Sequence, residues 1–442
     1  MNQRISTGTP QSIVDPEVLK SNRILVSKRR QSALHLEGPS WLGAALVVVW
    51  TMIYSCPGQE VQVYFGNLHA HSNASDGNKN ISPAEAFTIA RDQGKMDFMS
   101  LSEHNHIMKS QDIYDEVQEA AEGATDGNFV ALYGQEFSII KMSNHVSIEN
   151  YPRRLGPSLN GKFKKVFGEI LPKYKAAHPG EIVFGEFNHP GLGDIETDYG
   201  METDFHGDFD EFVATLDPVV RLIAVASGPA DSGGKAKYPH LPLPKKEQFV
   251  QQKIDTDRWF EYLSHGMHLA PKIDHDSHSP TYGFRHAGRT AVWVSGSFDR
   301  KSLLDALNRR HCYATQDMNL KIIPKLDVAG NHLPGDVIDD TDDNTIPVTL
   351  TINDTDEPNA KYEAELYSGV TGSKHLPKPV SGSTSNRDGD GPLTLTIHRN
   401  SDRPEYFIIH ISQKSDDPLN HAKTDDAWLA PIWFERTDES DH

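Results

Sequence analysis

The chain has 442 residues, 37% hydrophobic and 24% charged, with 33 glycines and 27 prolines. That composition excludes a disordered, collagen-like or disulfide-scaffold chain. The net charge of −19, with no basic cluster in the body of the chain, speaks against nucleic acid as a partner. Two cysteines, Cys56 and Cys312, provide neither a disulfide framework nor a thiolate zinc site. The 22 histidines are the feature to explain.

Residues 1–40 are polar and carry Lys28, Arg29 and Arg30; the uncharged run WLGAALVVVWTMIYS follows at 41–55, just before Cys56. A spanning helix needs about 20 residues, so this shorter run reads as the apolar region of a signal peptide. The basic residues before it have the cytoplasmic sign. Ile53-Tyr54-Ser55-Cys56 also resembles a bacterial lipobox. An uncleaved anchor helix or a buried core helix is the alternative. The expectation is a signal or anchor segment over 1–56 and an exported protein, periplasmic or membrane-anchored, with Cys56 as the candidate lipid attachment point.

From Val61 strands and helices alternate. VQVYFGNLH (61–69) reads as a buried strand, and Ser82-Pro83-Ala84-Glu85 opens a helix with an N-cap, a proline at N1 and a capping box. MDFMSLSEH (96–104) is the next strand, followed by a helix over 112–122. FVALYGQEFSII (129–140), HVSIEN (145–150), EIVFGEFNH (181–189), VVRLIAVAS (219–227) and LAPKIDHDSH (269–278) are further strands. This alternation predicts βαβ units with a parallel sheet, and some seven repeats predict a closed or nearly closed α/β barrel over 57–325. Polar residues gather at the C-terminal strand ends, where barrels keep their chemistry.

Beyond about residue 320 the period shortens. NTIPVTLTIN (344–353), YEAELYSG (362–369), PLTLTIHR (392–399) and EYFIIHISQ (405–413) alternate between turns rich in Gly, Pro and Asp. They predict a small C-terminal β-sandwich over 326–442.

The strand ends carry the candidate chemistry. His69 and His71 stand two apart on a strand, so both imidazoles can face one metal. Asp76 follows in SNASDG, His104 ends SLSEH, and Glu136 ends the third strand in LYGQEFS. His145 lies in SNHVSIEN, His189 ends FNH, and Asp276 and His278 share one strand face. These nine candidate ligands lie at the ends of five or six predicted strands, and imidazole with carboxylate but no thiolate suits Zn, Mn or Fe. Four residues are weighed as substrate contacts: His106, which lines the mouth; His206, a candidate leaving-group acid in a loop that favours plain exposure; and Arg285 and Arg289, which could clamp an anion bidentately or form structural salt bridges. His178 precedes its strand and belongs to the opposite end.

The motifs GNLHAHSNASDG, SLSEHNH, GQEF, NHV, FNHPG and DSH, in this order, resemble those of the polymerase and histidinol phosphatase (PHP) superfamily over residues 64–320. AWLAPIWFE (427–435) resembles the tail of its carbaryl-hydrolase-like branch. The resemblance implies a distorted (β/α)7 barrel with up to three metals. It implies His69, His71, Glu136 and Asp276 around one ion, a bridging Glu136 with His145 and His189 around a second, and Asp76, His104 and His278 around a third. Glu103 stands where an Asp often precedes the histidine and is expected to orient a ligand rather than bind metal. His275 stands where a smaller residue is usual.

The expected reaction is metal-assisted hydrolysis of a small anionic or ester substrate, with two or three divalent ions (Zn, Mn or Fe). Glu136, Asp276 and His278 would carry catalysis, and a bridging water would lose a proton near neutrality. Three ions favour a phosphoester, since three oxygens can each find a cation. Two ions suit a carbamate or amide ester equally. A metal-binding surface protein without activity is the third reading, although every ligand position keeps a ligand-capable side chain.

Overall fold

A computed structural model describes residues 60–138, 145–190, 204–227, 252–339, 344–400, 402–415 and 424–435. The expected signal or anchor segment, with Cys56, lies outside the described residues. Among the described residues no helix is long and apolar enough to cross a membrane.

The architecture is mixed α/β. Strands β1 (Val61–Asn67), β2 (Phe98–His104), β3 (Val130–Phe137), β4 (Val146–Glu149), β5 (Phe184–Phe187), β6 (Val220–Ser227) and β7 (Ala270–Asp274) are hydrogen-bonded in sequence order. The β1–β2, β2–β3, β5–β6 and β6–β7 pairs are parallel. The sheet is mostly parallel, as expected, but β4 runs antiparallel to both neighbours. Only eight residues separate β3 from β4, too few for the crossover that a parallel pair needs.

On its other edge β1 pairs antiparallel with β8 (Arg289–Ser295), and β8 pairs with β9 (Cys312–Thr315), two strands the sequence pattern did not single out. No continuous ladder joins β7 to β8. In its place Thr290 Oγ1 accepts from Ile273 N at 3.1 Å and donates to Ile273 O at 3.0 Å. One isolated parallel bridge, Ala70–Ser277, links the chain beyond β1 to the chain beyond β7. It lies at the strand ends that carry the histidines.

The helices cover the sheet as their sequence predicts. Helix α1 (Pro83–Asp92) starts at Ser82, whose Oγ accepts from Glu85 N while Glu85 Oε2 accepts from Ser82 N at 2.8 Å. Such a cap stabilises a helix by about 1 kcal/mol. Its face Ala86, Phe87 and Ala90 shares a core with Met99, Leu101 and Phe129. In α2 (Gln111–Ala124) Tyr114, Val117 and Ala121 recur on one helical face and are buried in that same cluster. Helices α3 (Leu171–Ala177), α4 (Phe209–Leu216) and α5 (Asp257–Ser264) pack around β5, β6 and β7, and α6 (Arg300–Asn308) follows β8.

The remaining strands are β10 (Lys321–Leu326), β11 (Val337–Ile338), β12 (Thr345–Asn353), β13 (Lys361–Val370), β14 (Lys378–Pro379), β15 (Ser385–Asp388), β16 (Gly391–His398), β17 (Glu405–Lys414), β18 (Asp425–Leu429) and β19 (Ile432–Phe434). Strands β10, β12 and β16 form a separate antiparallel sheet. The others are continuous with the main sheet, because β18 pairs with β9. Alternate residues of β12, Ile346, Val348, Leu350 and Ile352, meet Leu366, Ile409 and Leu429 in one core, which also takes in Phe65 and Trp293. The C-terminal strands thus share both hydrogen bonds and core with the strands that carry the histidines.

Candidate metal centre

The strand order brings all nine candidate ligands to one end of the sheet. His69 and His71 lie just beyond β1, His104 ends β2, and Glu136 lies near the end of β3. His145 precedes β4, whose reversed direction puts its start at this end, while His189 follows β5, and Asp276 and His278 follow β7. Asp76 arrives on the turn after His71. Gly77 is required beside it, because a Cβ there would stand 2.5 Å from His71 O. His189 and Asp276 adopt left-handed backbone, with φ of 29° and 44°. Such strain persists only where the surroundings enforce it.

Glu136 is the hub, wholly buried. Its Oε1 lies 2.7 Å from His145 Nδ1, 3.1 Å from His69 Nε2 and 3.1 Å from His189 Nε2. Its Oε2 lies 2.9 Å from His104 Nδ1 and 3.4 Å from His71 Nε2. Asp276 Oδ1 stands 3.3 Å from His71, 3.5 Å from His69 and 3.4 Å from His278. Asp76 lies 3.2 Å from His278, 3.5 Å from His104 and 4.0 Å from His71. Among the described residues, four overlapping groups could therefore hold a metal: His69–Glu136–His189, His69–His71–Asp276, His104–Glu136–His145 and His71–Asp76–His104–His278. The grouping differs in detail from the expected one, since His71 also faces the Asp76 group and His104 also faces Glu136.

Without a cation these side chains are poorly matched to one another. His69 Nε2 and His71 Nε2 face each other at 3.0 Å. His71 Nδ1 and His189 Nδ1 are buried and make no hydrogen bond. Orphaned buried acceptors are costly unless something satisfies them. Burial and the neighbouring His104 and His278 rings drive the His71 pKa down to about 3. Burial also opposes charge on His69, but Asp274, Glu136 and Asp276 outweigh it and hold its pKa well above the usual value. His278 likewise overcomes burial through Asp76 and Asp276 and is raised to about 9. Burial would raise Glu136, yet His145, His69 and His104 keep it well below the usual carboxylate range. The donors are imidazole and carboxylate with no sulfur, a set that fits Zn, Mn or Fe.

Side chains beyond the nine hold the ligands in place. Asp274 contacts His69 Nδ1 at 2.7 Å. Glu103 accepts from Ser72 N at 2.8 Å and from the hydroxyls of Ser72 and Ser75, pinning the turn that carries Asp76. It belongs to none of the four groups, in keeping with the orienting role expected of it. Tyr282 donates to His71 O at 2.8 Å. Asn188 Nδ2 donates to Glu136 Oε1 at 3.1 Å and Ser147 Oγ at 2.7 Å. Beneath lies a buried layer of Lys272, Glu186 and Glu149. Burial pushes Glu186 up to about 7 despite Lys272, and burial with Glu186 alongside pushes Glu149 well up.

Sequence reasoning passed over Asp274, Asn188 and Lys272. Signals existed: a lysine inside the apolar strand LAPKID, and an Asp two residues before another, so on the same strand face.

The four substrate candidates divide. His106 lies beside the cluster, its ring 5.1 Å from that of His104. His206 is exposed on the loop before α4, with φ of 52°. Arg285 is exposed on the segment after His278. Arg289 is corrected: it is 1% exposed, and its guanidinium donates to the carbonyls of Gly94, Gly283, His286, Ala287 and Gly288. Both terminal NH2 groups are spent on backbone carbonyls, so neither bidentate edge of the guanidinium is open to clamp an anion. His178 stacks on Tyr174 at 4.2 Å, away from the cluster. His275 is buried, with Nε2 2.8 Å from Gly288 O and its ring 5.5 Å from that of His286.

No family model matches this chain, and no curated protein is significantly similar to it.

Proposed function

We propose that the chain is a metal-dependent hydrolase of the polymerase and histidinol phosphatase superfamily, in its carbaryl-hydrolase-like branch, acting as a phosphoesterase. On this reading the described strands belong to the distorted (β/α)7 barrel of that family, followed by a C-terminal β-sandwich. The observation that carries the reaction class is the fourth ligand group. Asp76, His104, His278 and His71 converge as closely as the deeper groups do, which supports three cation positions rather than two. Three positions match the three oxygens of a phosphoryl group.

Asp76 is 39% exposed while the other eight ligand side chains are at most 10% exposed. The substrate therefore approaches from the Asp76 side. Zinc, manganese or iron held here would lower the pKa of a water and neutralise charge growing on the substrate. Glu136 holds the two deepest groups in one frame, Asp276 joins them to His278, and His106 at the rim faces the arriving ester. Residues 1–56 would deliver the enzyme out of the cytoplasm, with Cys56 as the anchor point.

The test is a panel of aryl phosphates and aryl carbamates offered to protein reconstituted with Zn, Mn or Fe. The proposal expects phosphates to turn over at least about tenfold faster in kcat/KM, about 1.4 kcal/mol in transition-state terms. Preference for carbamates would replace it with the carbamate or amide ester hydrolase. No turnover of either, with metal bound, would favour a metal-binding surface protein.

A further inference from the structure

We infer that Lys272 is a positioning residue for Glu136, acting through the amide of Asn188. The inference rests on the proposed role of Glu136 as a metal ligand. Lys272 sits in the middle of β7, wholly buried, and its Nζ donates to Asn188 Oδ1 at 2.7 Å. A lysine ammonium can only donate. The oxygen of the Asn188 amide must therefore face Lys272, and the NH2 group must face the opposite way. That side holds Glu136 Oε1 at 3.1 Å and Ser147 Oγ at 2.7 Å. Asn188 N donates to His145 O at 3.1 Å, which ties the same residue to a second ligand.

An asparagine amide is nearly symmetric in shape, and turned over it would present its oxygen to a carboxylate. Lys272 forbids that orientation. The lysine is itself held by Glu186, 3.1 Å away and equally buried. A chain of contacts thus runs from Glu186 through Lys272 and Asn188 to the hub of the metal groups. A buried Lys–Glu pair contributes little to stability compared with well-packed apolar residues, so stability alone gives this layer little reason to be charged. Fixing the polarity of Asn188 gives it one.

The measurement is zinc affinity by competition with a chromophoric chelator, on wild type, N188A, K272M and the double variant N188A/K272M. Each single change is expected to weaken the tightest zinc by about 10- to 100-fold, as loss of an orienting partner does. The double variant is expected to match the weaker single within about twofold, because both act through one amide. Multiplying losses would show that Lys272 acts independently of Asn188 and would overturn the inference. K272M leaves Glu186 buried without its cation and risks misfolding. K272M/E186Q, which removes both charges, is therefore measured beside it, with circular dichroism and a thermal melt. It is expected to fold and still bind zinc weakly; wild-type affinity in a folded K272M/E186Q protein would also overturn the inference. Wild-type protein that takes up no zinc would overturn this inference together with the proposed function, whereas zinc-binding wild type with an unaffected K272M would overturn this inference alone.

Discussion

Asp274 holds the Nδ1 edge of His69 at 2.7 Å, with both side chains wholly buried. A carboxylate accepts, so Nδ1 carries a proton and Nε2 is turned towards Glu136 and Asp276, where a bound metal ion would take the place of the second ring proton. This is the carboxylate–imidazole arrangement that fixes the tautomer and orientation of metal-ligating histidines. Asp274→Asn should weaken metal binding by about 10- to 100-fold, with a smaller loss of thermal stability. Chelator competition checks it. Affinity within about twofold of wild type would mean that His69 needs no such support.

Glu103 gathers Ser72 and Ser75 and thereby places Asp76. Glu103→Ala should release this turn while leaving the groups around Glu136 intact. The expected outcome is selective loss of the outermost metal equivalent, read by mass spectrometry after dialysis against a limiting chelator. Loss of all metal, or of none, would contradict the assignment.

Arg289 donates to five backbone carbonyls, those of Gly283, His286, Ala287, Gly288 and Gly94. Arg289→Met would strand those buried acceptors, at about 1–3 kcal/mol for each that finds no other partner. The melting temperature should therefore fall by several degrees, while KM for an aryl phosphate stays within about threefold at a temperature where the variant is folded. Unchanged stability with a sharply raised KM would restore the anion clamp.

His268 joins Asp217, 3.0 Å away, to Glu435 near the end of the described chain, 3.2 Å away. Burial disfavours its charge, but the hydrogen bonds it donates to these two carboxylates outweigh burial and raise its pKa to about 9. The folded pKa exceeds the unfolded value of about 6.5. The stabilisation is therefore complete below pH 6.5 and is lost as pH rises through 9. Asp217 and Glu435 are both lowered: burial opposes this in each, and the His268 contact overcomes it. Their share is present above about pH 4 and is lost on acidification. His268→Asn should lower the melting temperature by a few degrees at pH 6 and by little at pH 10. An equal drop at both pH values would show that the ion pairs contribute nothing.

Much of this was legible in the residues because strand periodicity and strand-end chemistry are local. VQVYFGNLH, MDFMSLSEH and FVALYGQEF place β1, β2 and β3 within a few residues, and Ser82 to Glu85 fixes the start of α1. The gathering of the nine ligands follows, because all stand at one end of neighbouring strands. Strand direction was less legible, since the residues of β4 look alike in either orientation and only the length of its connection decides. Strands β8 and β9 escaped notice because both are buried and lack alternation. The union of the C-terminal strands with the main sheet rests on the β9–β18 ladder, a pairing between residues more than a hundred positions apart that no local pattern announces. Arg289 misled because sequence proximity to His278 says nothing about the carbonyls waiting for it.

The central claim is that Glu136 binds the cations together, and metal content measured beside initial rates tests it most directly. Wild-type protein purified without chelators should carry about two or three equivalents of Zn, Mn or Fe. Glu136→Gln keeps the shape but removes the charge that five imidazoles face. It should lose at least one equivalent and slow turnover by about three orders of magnitude or more. Asp276→Asn should be nearly as severe, and His178→Asn, away from the cluster, should stay within about threefold. A Glu136→Gln protein with full metal and wild-type rates, beside a His178→Asn protein that lost both, would contradict the account.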